Sequence, residues 1–387
     1  MEVPWETEAA GDQVKRSSNR RRRRRRRSQG KASTSISRRS DEIKLFGIDK
    51  EKPAEAETNP PPPAREKEEE GEEGRLLDED EADHERMRSF RLGWEECYGD
   101  LSSFEDNTSV PSMRYTEGTI PRYASREDVL QIISVQVIEI KDDLEWPLHV
   151  YGWVATRDSV DQNRNLLFNR TRDNCQVLTQ EDSYLLLTGP SRAVVNIDPV
   201  AFEVQLKIKG KTESEDKFLC LQVFRHSSVY SSVWGPFMIG RHCSSKRCTL
   251  RVIFAPLVDT VEATVVKVQV IDGSWPDHLR GKVIARTAGI DTGNIMLLDS
   301  RDGRMPITGD GEIMLLRNVA SVEFFGQLKV CVVASQDDNK PIEDTAIFTP
   351  LTAGFSHGIC DLGFCKVKVT VAWSLLATLE DMRSLSI

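Results

Sequence analysis

The feature that most constrains the fold of this chain is a repeat of its own sequence. Trp146-Pro147 recurs at Trp275-Pro276, and Gly152 recurs at Gly281, in both cases 129 residues later. The same register holds for three further pairs: His149 and His278, Asn165 and Asn294, and Arg172-Asp173 and Arg301-Asp302. A period this long exceeds the roughly 20–50 residues of solenoid repeats, so the pattern predicts two domain-sized units of one fold.

The register of the repeat shifts further along the chain. Gln205-Leu206-Lys207 resembles Gln327-Leu328-Lys329, which lies only 122 residues later. We therefore expect the register to slip from 129 to 122 residues after the third or fourth strand.

Short segments of alternating apolar and polar residues indicate strands in both units. These segments are 132–140, 202–208, 261–270, 328–333 and 366–371. Alternation with β-branched residues is typical of strands that bury one face, and Gly- and Asp-containing turn signals separate the segments. We predict a mostly β fold with two tandem, internally duplicated, sandwich-like units, the first at 114–240 and the second at 241–387.

The first 110 residues differ sharply in charge from the rest. Residues 1–40 carry 13 Lys and Arg against 4 Asp and Glu, whereas residues 41–110 carry 9 against 23. Like charges repel, and little apolar surface is present to bury, so residues 1–84 are predicted to form a disordered arm, first basic and then acidic. Met87, Phe90 and Trp94 recur at spacings of three and four residues, so residues 85–113 are predicted to form a short helix, ending near Gly99, and a linker.

An unbroken run of arginines is the most distinctive feature of the arm. It comprises Arg20, Arg21, Arg22, Arg23, Arg24, Arg25, Arg26 and Arg27. Such a run favours a nuclear import signal, with an importin as partner, or a nonspecific RNA contact. The alternative is a solvated arm with no partner. No secretory signal and no membrane-length apolar run is visible, so we expect a nuclear or cytoplasmic protein.

Metal-ligating patterns are weak. Cys243 and Cys248 lie beside His242, and Cys360 and Cys365 follow His357, but the two pairs are more than a hundred residues apart. Free thiols are therefore favoured over a zinc site. Aspartates that a calcium site would use are Asp158, Asp161, Asp173 and Asp182 in the first unit, and Asp291, Asp302, Asp310 and Asp337 in the second. Neighbouring arginines (Arg157, Arg164 and Arg172) favour ion pairing instead, so no cofactor or metal is expected.

No catalytic residue can be assigned from motifs. The chain has no Gly-x-Ser-x-Gly turn and no phosphate-binding Gly-x-x-x-x-Gly-Lys loop. Its six histidines do not fall beside a nucleophile in a known arrangement, and Trp146 and Trp275 are interpreted as core residues rather than ligand platforms.

Several motifs together resemble a known family. They are Trp153–Asp158, Arg172–Gln176, Leu187–Arg192, Asp198–Val200, Val261–Thr264 and Val369–Leu375. The chain resembles a grass-lineage domain of unknown function over roughly residues 90–376. A similar domain is attached behind the RNA N-glycosidase of jasmonate-induced ribosome-inactivating proteins, which implies stress or defence biology by association. The N-glycosidase activity is not implied, because none of the four Glu-Ala pairs has the required Arg two residues later.

The sequence therefore favours a non-catalytic interaction protein of unknown partner, in which the two β units bind across their loops or their interface. Two alternatives remain. One is an enzyme directed at nucleic acid, or an accessory of one, with the arm as an electrostatic anchor. The other is a calcium- and lipid-binding β-sandwich protein.

We predict that the arm binds RNA through its arginines. Binding should weaken steeply as salt rises, because neutralised phosphates release counterions. Filter binding of the full chain, compared with a chain that begins at residue 41, checks this. Equal binding by the two chains would refute the role of the arginines.

Overall fold

The computed structural model describes residues 78–227, 237–290, 293–301, 303–336 and 340–378. The arginine run Arg20–Arg27 and most of the predicted arm lie outside these residues, as do Asp291, Asp302 and Asp337. Within the described residues the chain forms one α-helix, sixteen strands and two short 3-10 helices (Arg172–Asn174 and Glu213–Glu215). The helix and strands are α1 (Glu79–Tyr98), β1 (Glu127–Ile140), β2 (Leu148–Arg157), β3 (Asn165–Arg170), β4 (Gln176–Leu178), β5 (Val194–Val195), β6 (Val200–Ile208), β7 (Lys217–His226), β8 (Ile239–Ser244), β9 (Cys248–Gly273), β10 (Arg280–Thr287), β11 (Ile295–Asp299), β12 (Val319–Glu323), β13 (Leu328–Ser335), β14 (Ile342–Phe348), β15 (Ala353–Asp361) and β16 (Cys365–Ser374).

The predicted mostly β fold is confirmed. All five alternating segments lie within strands, namely β1, β6, β9, β13 and β16. The predicted helix is also present, and it begins earlier than its apolar spacing indicated. Its first turn holds Glu79, Asp80 and Glu81, whose negative charges stabilise the helix by interacting with the positive N-terminal end of its dipole. It ends at Tyr98, directly before Gly99.

The strands form three antiparallel sheets. One five-stranded sheet has the order β3-β2-β6-β7, with β4 added to β2, and one four-stranded sheet has the order β11-β10-β13-β14. The third sheet has seven strands and runs β15-β16-β9-β1-β5, with β8 and β12 also paired to β9. All remaining strands of the third sheet are therefore linked to β9, either directly or through one neighbouring strand.

The 26-residue strand β9 joins the two halves of the fold. Its first half pairs with β1 on one side and β8 on the other, so that Phe254 lies opposite both Ile132 and Ile239. Its second half pairs with β12 and β16, so that Thr264 lies opposite both Val319 and Ala372. The change of neighbours occurs around residue 260. The chain therefore crosses from one half to the other without leaving the strand.

Two separate cores lie on the inner faces of these sheets. The first half of β9, with β1, packs on the five-stranded sheet, where Phe202 stacks on Phe224 and Phe254 at centroid distances of 4.7 and 5.2 Å. The second half of β9, with β16, packs on the four-stranded sheet around the fully buried Trp373. Trp146 and Trp275 are partly buried against the first and second core respectively.

The strand orders of the two halves correspond. In the first, β8-β9-β1-β5 faces β3-β2-β6-β7, and in the second, β15-β16-β9-β12 faces β11-β10-β13-β14. This correspondence favours the internal duplication, which stays a prediction. The division predicted at residue 240 lies inside β8, whereas the chain changes halves in the middle of β9.

The predicted shift of register at the two Gln-Leu-Lys segments is wrong for that pair. Leu206 lies opposite Gly152, but Leu328 lies opposite Thr287 rather than Gly281. The sequence match therefore joins residues that occupy different positions along the strands β6 and β13. Three identical residues could not reveal this mismatch. When one strand is shifted along another by an even number of residues, the same side chains still face the core.

The repeated glycines are required for different reasons. Gly152 has a φ of +110°, and a Cβ placed there would lie 2.2 Å from the carbonyl oxygen of Gln205. At Gly281 the obstacle is the side chain of Met305, whose Sδ would lie 2.2 Å from a Cβ. A backbone obstacle cannot move aside as a flexible side chain can.

We expect Gly152→Ala to destabilise the fold by about 3 kcal/mol or more, because it adds a backbone clash to an unfavourable φ. Gly118→Ala is the matched control, since Gly118 has a φ of +81° and open space around its Cβ position. That change should cost only about 1 kcal/mol. Urea unfolding measures both values, and equal losses would show that the Gln205 contact does not matter.

Candidate functional site

A cluster of buried charges lies on the outer face of the five-stranded sheet. Its centre is Glu203 on β6, whose carboxylate accepts hydrogen bonds from Arg157 at the end of β2 and from Arg164 just before β3. The Arg164 Nε to Glu203 Oε2 distance is 3.1 Å. All three side chains are buried. One carboxylate therefore bridges two guanidinium groups away from water.

Aromatic rings cover these guanidinium groups. The Arg157 guanidinium lies 4.3 Å from the ring centre of Phe104 and 4.9 Å from that of Trp94. That of Arg164 lies 5.0 Å from Phe104 and 4.3 Å from Trp153. Cation–π attraction is strongest where water is excluded, as it is here. Because Trp94 belongs to α1, the cluster fixes the helix to the sheet.

A second group of charges centres on Arg192. Its guanidinium donates to both carboxylate oxygens of Asp158, at 2.7 and 2.9 Å, and to Asp161 at 3.0 Å. Asp158 also accepts the backbone N–H of Val195 at the start of the β5 pairing. Two of the aspartates considered for calcium are thus ion-paired, which confirms the favoured interpretation for them. Asp182 is likewise paired, at 2.7 Å, to Arg301.

The other two candidate aspartates that the structure describes, Asp173 and Asp310, lie in different halves of the fold. Asp173 lies in the first 3-10 helix, and Asp310 lies 4.0 Å from Lys267 in the second half. Among the residues that the structure describes, no group of three or more His, Cys, Asp and Glu side chains is placed to hold a metal ion.

Glu262 on β9 ties a third segment to these charges. Its two carboxylate oxygens accept the backbone N–H groups of Met113 and Ala193, both at 2.8 Å. Burial raises the pKa of Glu262 above its usual value, although Arg192 and the two N–H groups act in the opposite direction. The loop before β1 is therefore held on the strand that joins the two halves.

Two buried arginines occupy corresponding places with different partners. Arg192 lies two residues before β5, and Arg317 lies two residues before β12. Arg317 donates to the carbonyl oxygens of Ile132 and Ile133, at 2.7 and 3.4 Å, rather than to a carboxylate. Burial lowers its pKa to about 10. This arginine belongs to the second half but bonds to β1 of the first, so it holds the halves together.

The cysteine pairs considered for zinc lie in separate cores. Cys243 and Cys248 are buried in the first core, and Cys360 and Cys365 in the second. Burial raises the pKa of Cys243 to about 12 and those of Cys360 and Cys365 to about 11. The structure does not bring the two pairs together.

The repeated histidines differ in their surroundings. His149 Nδ1 is 3.9 Å from Cys175 Sγ, and His278 is exposed in the turn before β10. The tryptophan of that turn, Trp275, donates its indole N–H to the carbonyl oxygen of Leu279 at 3.1 Å.

Three exposed apolar residues, here called the loop patch, lie on segments that meet where the two halves join. The loop patch contains Ile197 between β5 and β6, Val258 in the middle of β9, and Phe325 between β12 and β13. These side chains are 47, 38 and 86% exposed. Three chain segments that hydrogen bonds tie together thus each carry one exposed apolar side chain.

Direct contacts join the segments of the loop patch. Asp128 accepts the N–H of Asn196 on its carbonyl oxygen at 2.8 Å and the N–H of Asp259 on its carboxylate at 3.0 Å. Asp259 in turn accepts the N–H of Phe324 at 3.0 Å. Arg126 pairs with Asp259 at 3.1 Å and lies 4.6 and 5.6 Å from the rings of Phe324 and Phe325.

Sequence reasoning missed the loop patch, although a signal was present. Phe324-Phe325-Gly326 directly precedes the predicted strand segment 328–333, where a turn is expected to be polar. An aromatic pair in such a turn indicates either a residue folded back into a core or an exposed contact surface. The structure shows both outcomes, with Phe324 partly buried and Phe325 exposed.

Comparison with known proteins gives a family but no activity. Residues 129–371 match a family described as a domain of unknown function, DUF6598. The chain belongs to this family. The match covers the span from β1 into β16 and so includes both halves of the DUF6598 fold. No curated protein sequence matches the chain.

Solved structures show only remote similarity to this DUF6598 chain. The paired C2 domains of Extended-Synaptotagmin 2 align over 70% of this chain and 99% of their own, at 11% identity and a TM-score of 0.24. Human GIVD cytosolic phospholipase A2 aligns over 65% of this chain and 33% of its own, at 9% identity and a TM-score of 0.20. No helix among the described residues is both long and apolar enough to span a membrane.

We expect Glu203→Gln to destabilise the protein by about 3–5 kcal/mol, because it leaves two buried guanidinium groups without their carboxylate. Glu95→Gln is the matched control, since Glu95 is exposed and pairs with Arg91 at 2.8 Å one helical turn away. It should cost less than about 0.5 kcal/mol. Thermal and urea unfolding report both changes, and similar losses would mean that the buried cluster does not stabilise the fold.

Proposed function

We propose that this chain is a non-catalytic binding module that recognises a protein partner through the loop patch. The observation that carries the proposal is the exposure of Phe325, which is 86% accessible and shares the loop patch with Ile197 and Val258. Aromatic residues and arginines dominate the binding energy of protein interfaces, and Arg126 lies against this ring. An exposed apolar surface of this kind is typical of an interaction site.

The position of the loop patch supports the same conclusion. Ile197 and Phe325 lie on corresponding loops of the two halves, and Val258 lies on the strand that joins them. A partner bound there would contact both halves at once, and the ladder of hydrogen bonds around Asp128 and Asp259 holds these loops in place. A surface that is fixed before binding loses less conformational entropy when a partner binds.

The buried charges support a non-catalytic role. Glu203 and Asp158 are paired with buried arginines inside the fold, and Glu262 accepts backbone N–H groups. These side chains hold α1, the loop before β1 and the strand edges in place. They are therefore committed to structure rather than presented to a substrate.

The biological setting proposed here rests on the sequence resemblance. The likeness to a grass-lineage domain found behind the N-glycosidase of jasmonate-induced ribosome-inactivating proteins favours a partner in a stress or defence response. The arginine run Arg20–Arg27 favours nuclear import or RNA contact for the chain as a whole. Neither proposal requires the body to have an enzymatic activity.

We expect Phe325→Ser to abolish partner capture without unfolding the protein. The full chain and the variant are used to capture proteins from an extract of the source tissue, and bound proteins are quantified by mass spectrometry. Leu92→Ser is the matched control, because Leu92 is also an exposed apolar residue, 59% accessible, but lies on α1. Proteins retained by the wild type and by Leu92→Ser but lost with Phe325→Ser support the proposal, and an unchanged set overturns it.

A further inference from the structure

We infer that the partner presents a basic segment carrying an apolar or aromatic anchor to the loop patch. This inference rests on the proposed function and adds the chemistry of the partner to it. The apolar side chains Ile197, Val258 and Phe325 supply the contact for the anchor. The charged groups around them determine whether a positively or a negatively charged partner is attracted.

Carboxylates surround the loop patch. Asp128 and Asp198 are exposed, and Asp259 and Glu323 are partly exposed, whereas Arg126 is the cation that the patch itself contributes. The segments of the patch thus carry more carboxylates than guanidinium groups, and Asp259 pairs with the guanidinium of Arg126 at 3.1 Å. The surface that meets a partner is therefore negative, and complementary charge on the partner would speed and orient binding.

Glu323 is the carboxylate of the patch that has no cation beside it among the described residues. It precedes Phe324 and Phe325, and no cation lies within ion-pairing distance of it in the part of the chain that the structure describes. Its partial burial raises its pKa above the usual value, with no positive group acting in the opposite direction. A lysine or arginine brought by a partner would remove this penalty by pairing with the carboxylate.

Arg126 shows how a basic group can occupy this surface. Its guanidinium lies over the rings of Phe324 and Phe325 and pairs with Asp259 at the same time. The exposed ring of Phe325 and the carboxylate of Glu323, two residues before it in the chain, are the groups that a second cation would contact. Such contacts contribute about 0.5–2 kcal/mol each, depending on their desolvation.

Two other occupants fit the charges less well. A second copy of this chain, docked patch to patch, would place the same carboxylates against each other. An anionic membrane surface would also be repelled. A basic peptide segment satisfies both the apolar and the charged parts of the surface.

The test uses the full chain and three fluorescent peptides of equal length. The first alternates leucine and lysine, the second has serine in place of leucine, and the third has glutamate in place of lysine. Anisotropy titrations are made with the wild type, Phe325→Ser, the double variant Asp198→Asn/Glu323→Gln, and the control Leu92→Ser. The serine peptide measures attraction by the acidic residues of 41–110, which does not depend on Phe325.

We expect the leucine–lysine peptide to bind the wild type and Leu92→Ser equally. Phe325→Ser should weaken its binding about tenfold or more, as loss of an anchoring aromatic does. The double variant should weaken it severalfold and reduce the dependence on salt, because two attractive charges are gone. Unchanged melting temperatures would show that the variants are folded, as expected for exposed positions.

Three results would overturn the inference. If the leucine–glutamate peptide binds in a way that depends on Phe325, the patch prefers an acidic partner rather than a basic one. The proposed protein-binding function would be left intact. Equal binding of the leucine–lysine peptide by wild type and Phe325→Ser would show that the patch does not take a basic segment, and the capture experiment then decides the proposed function separately. The third result is flotation of the wild type, but not of Phe325→Ser, with phosphatidylcholine–phosphatidylserine vesicles, in the presence of either calcium or chelator. It would assign the patch to a membrane instead.

Discussion

The pairing of β9 with strands on both of its sides is the constraint on which the rest of the structure depends. Backbone N–H and C=O groups must be paired when they are buried, and β9 meets this requirement with β1 and β8 in its first half and with β12 and β16 in its second. Neither core can close without its half of this strand. The two halves are therefore parts of one folded body rather than independent domains.

The same constraint explains where the loop patch lies. At residues 259–260 the neighbours of β9 change, and Thr260 lies opposite Glu127 of β1 and Glu323 of β12. Asp259 has a φ of +53°, which marks a local departure from regular strand geometry. The loops that follow β5 and β12 meet at this point, so their exposed side chains come from both halves.

The buried charges make the two halves different. The cluster around Glu203 and Arg192 belongs to the first half, where it holds α1 and the loop before β1 on the body. The positions 129 residues after Arg157, Asp158 and Asp161 are Arg286, Thr287 and Ile290, which cannot rebuild the cluster. Arg286 instead donates to the amide oxygen of Asn294 at 2.7 Å on the surface. The second half therefore has the same sheet order but lacks the buried charge cluster.

The sequence predicted the strands well because alternation reports burial of one face locally, as in β1 and β16. It predicted α1 because Met87, Phe90 and Trp94 recur at helical spacing. It could not predict that β9 serves both halves, since an alternating segment looks the same whichever strands pair with it. Nor could it bring Arg157, Glu203 and Phe104 together, because their contacts span 46 and 53 residues of chain. Exposure of Phe325 depends on which loops cover it, and this too is a property of the folded chain.

Hydrogen–deuterium exchange of β9 tests the central claim that one strand joins both halves into a single body. Amides in the interior of a strand that is paired on both sides exchange only when the whole body unfolds. We predict that the protected amides of the first half of β9, which pairs with β1 and β8, and those of its second half, which pairs with β12 and β16, lose protection at one denaturant concentration. Loss of protection in the two halves at different denaturant concentrations would contradict the claim.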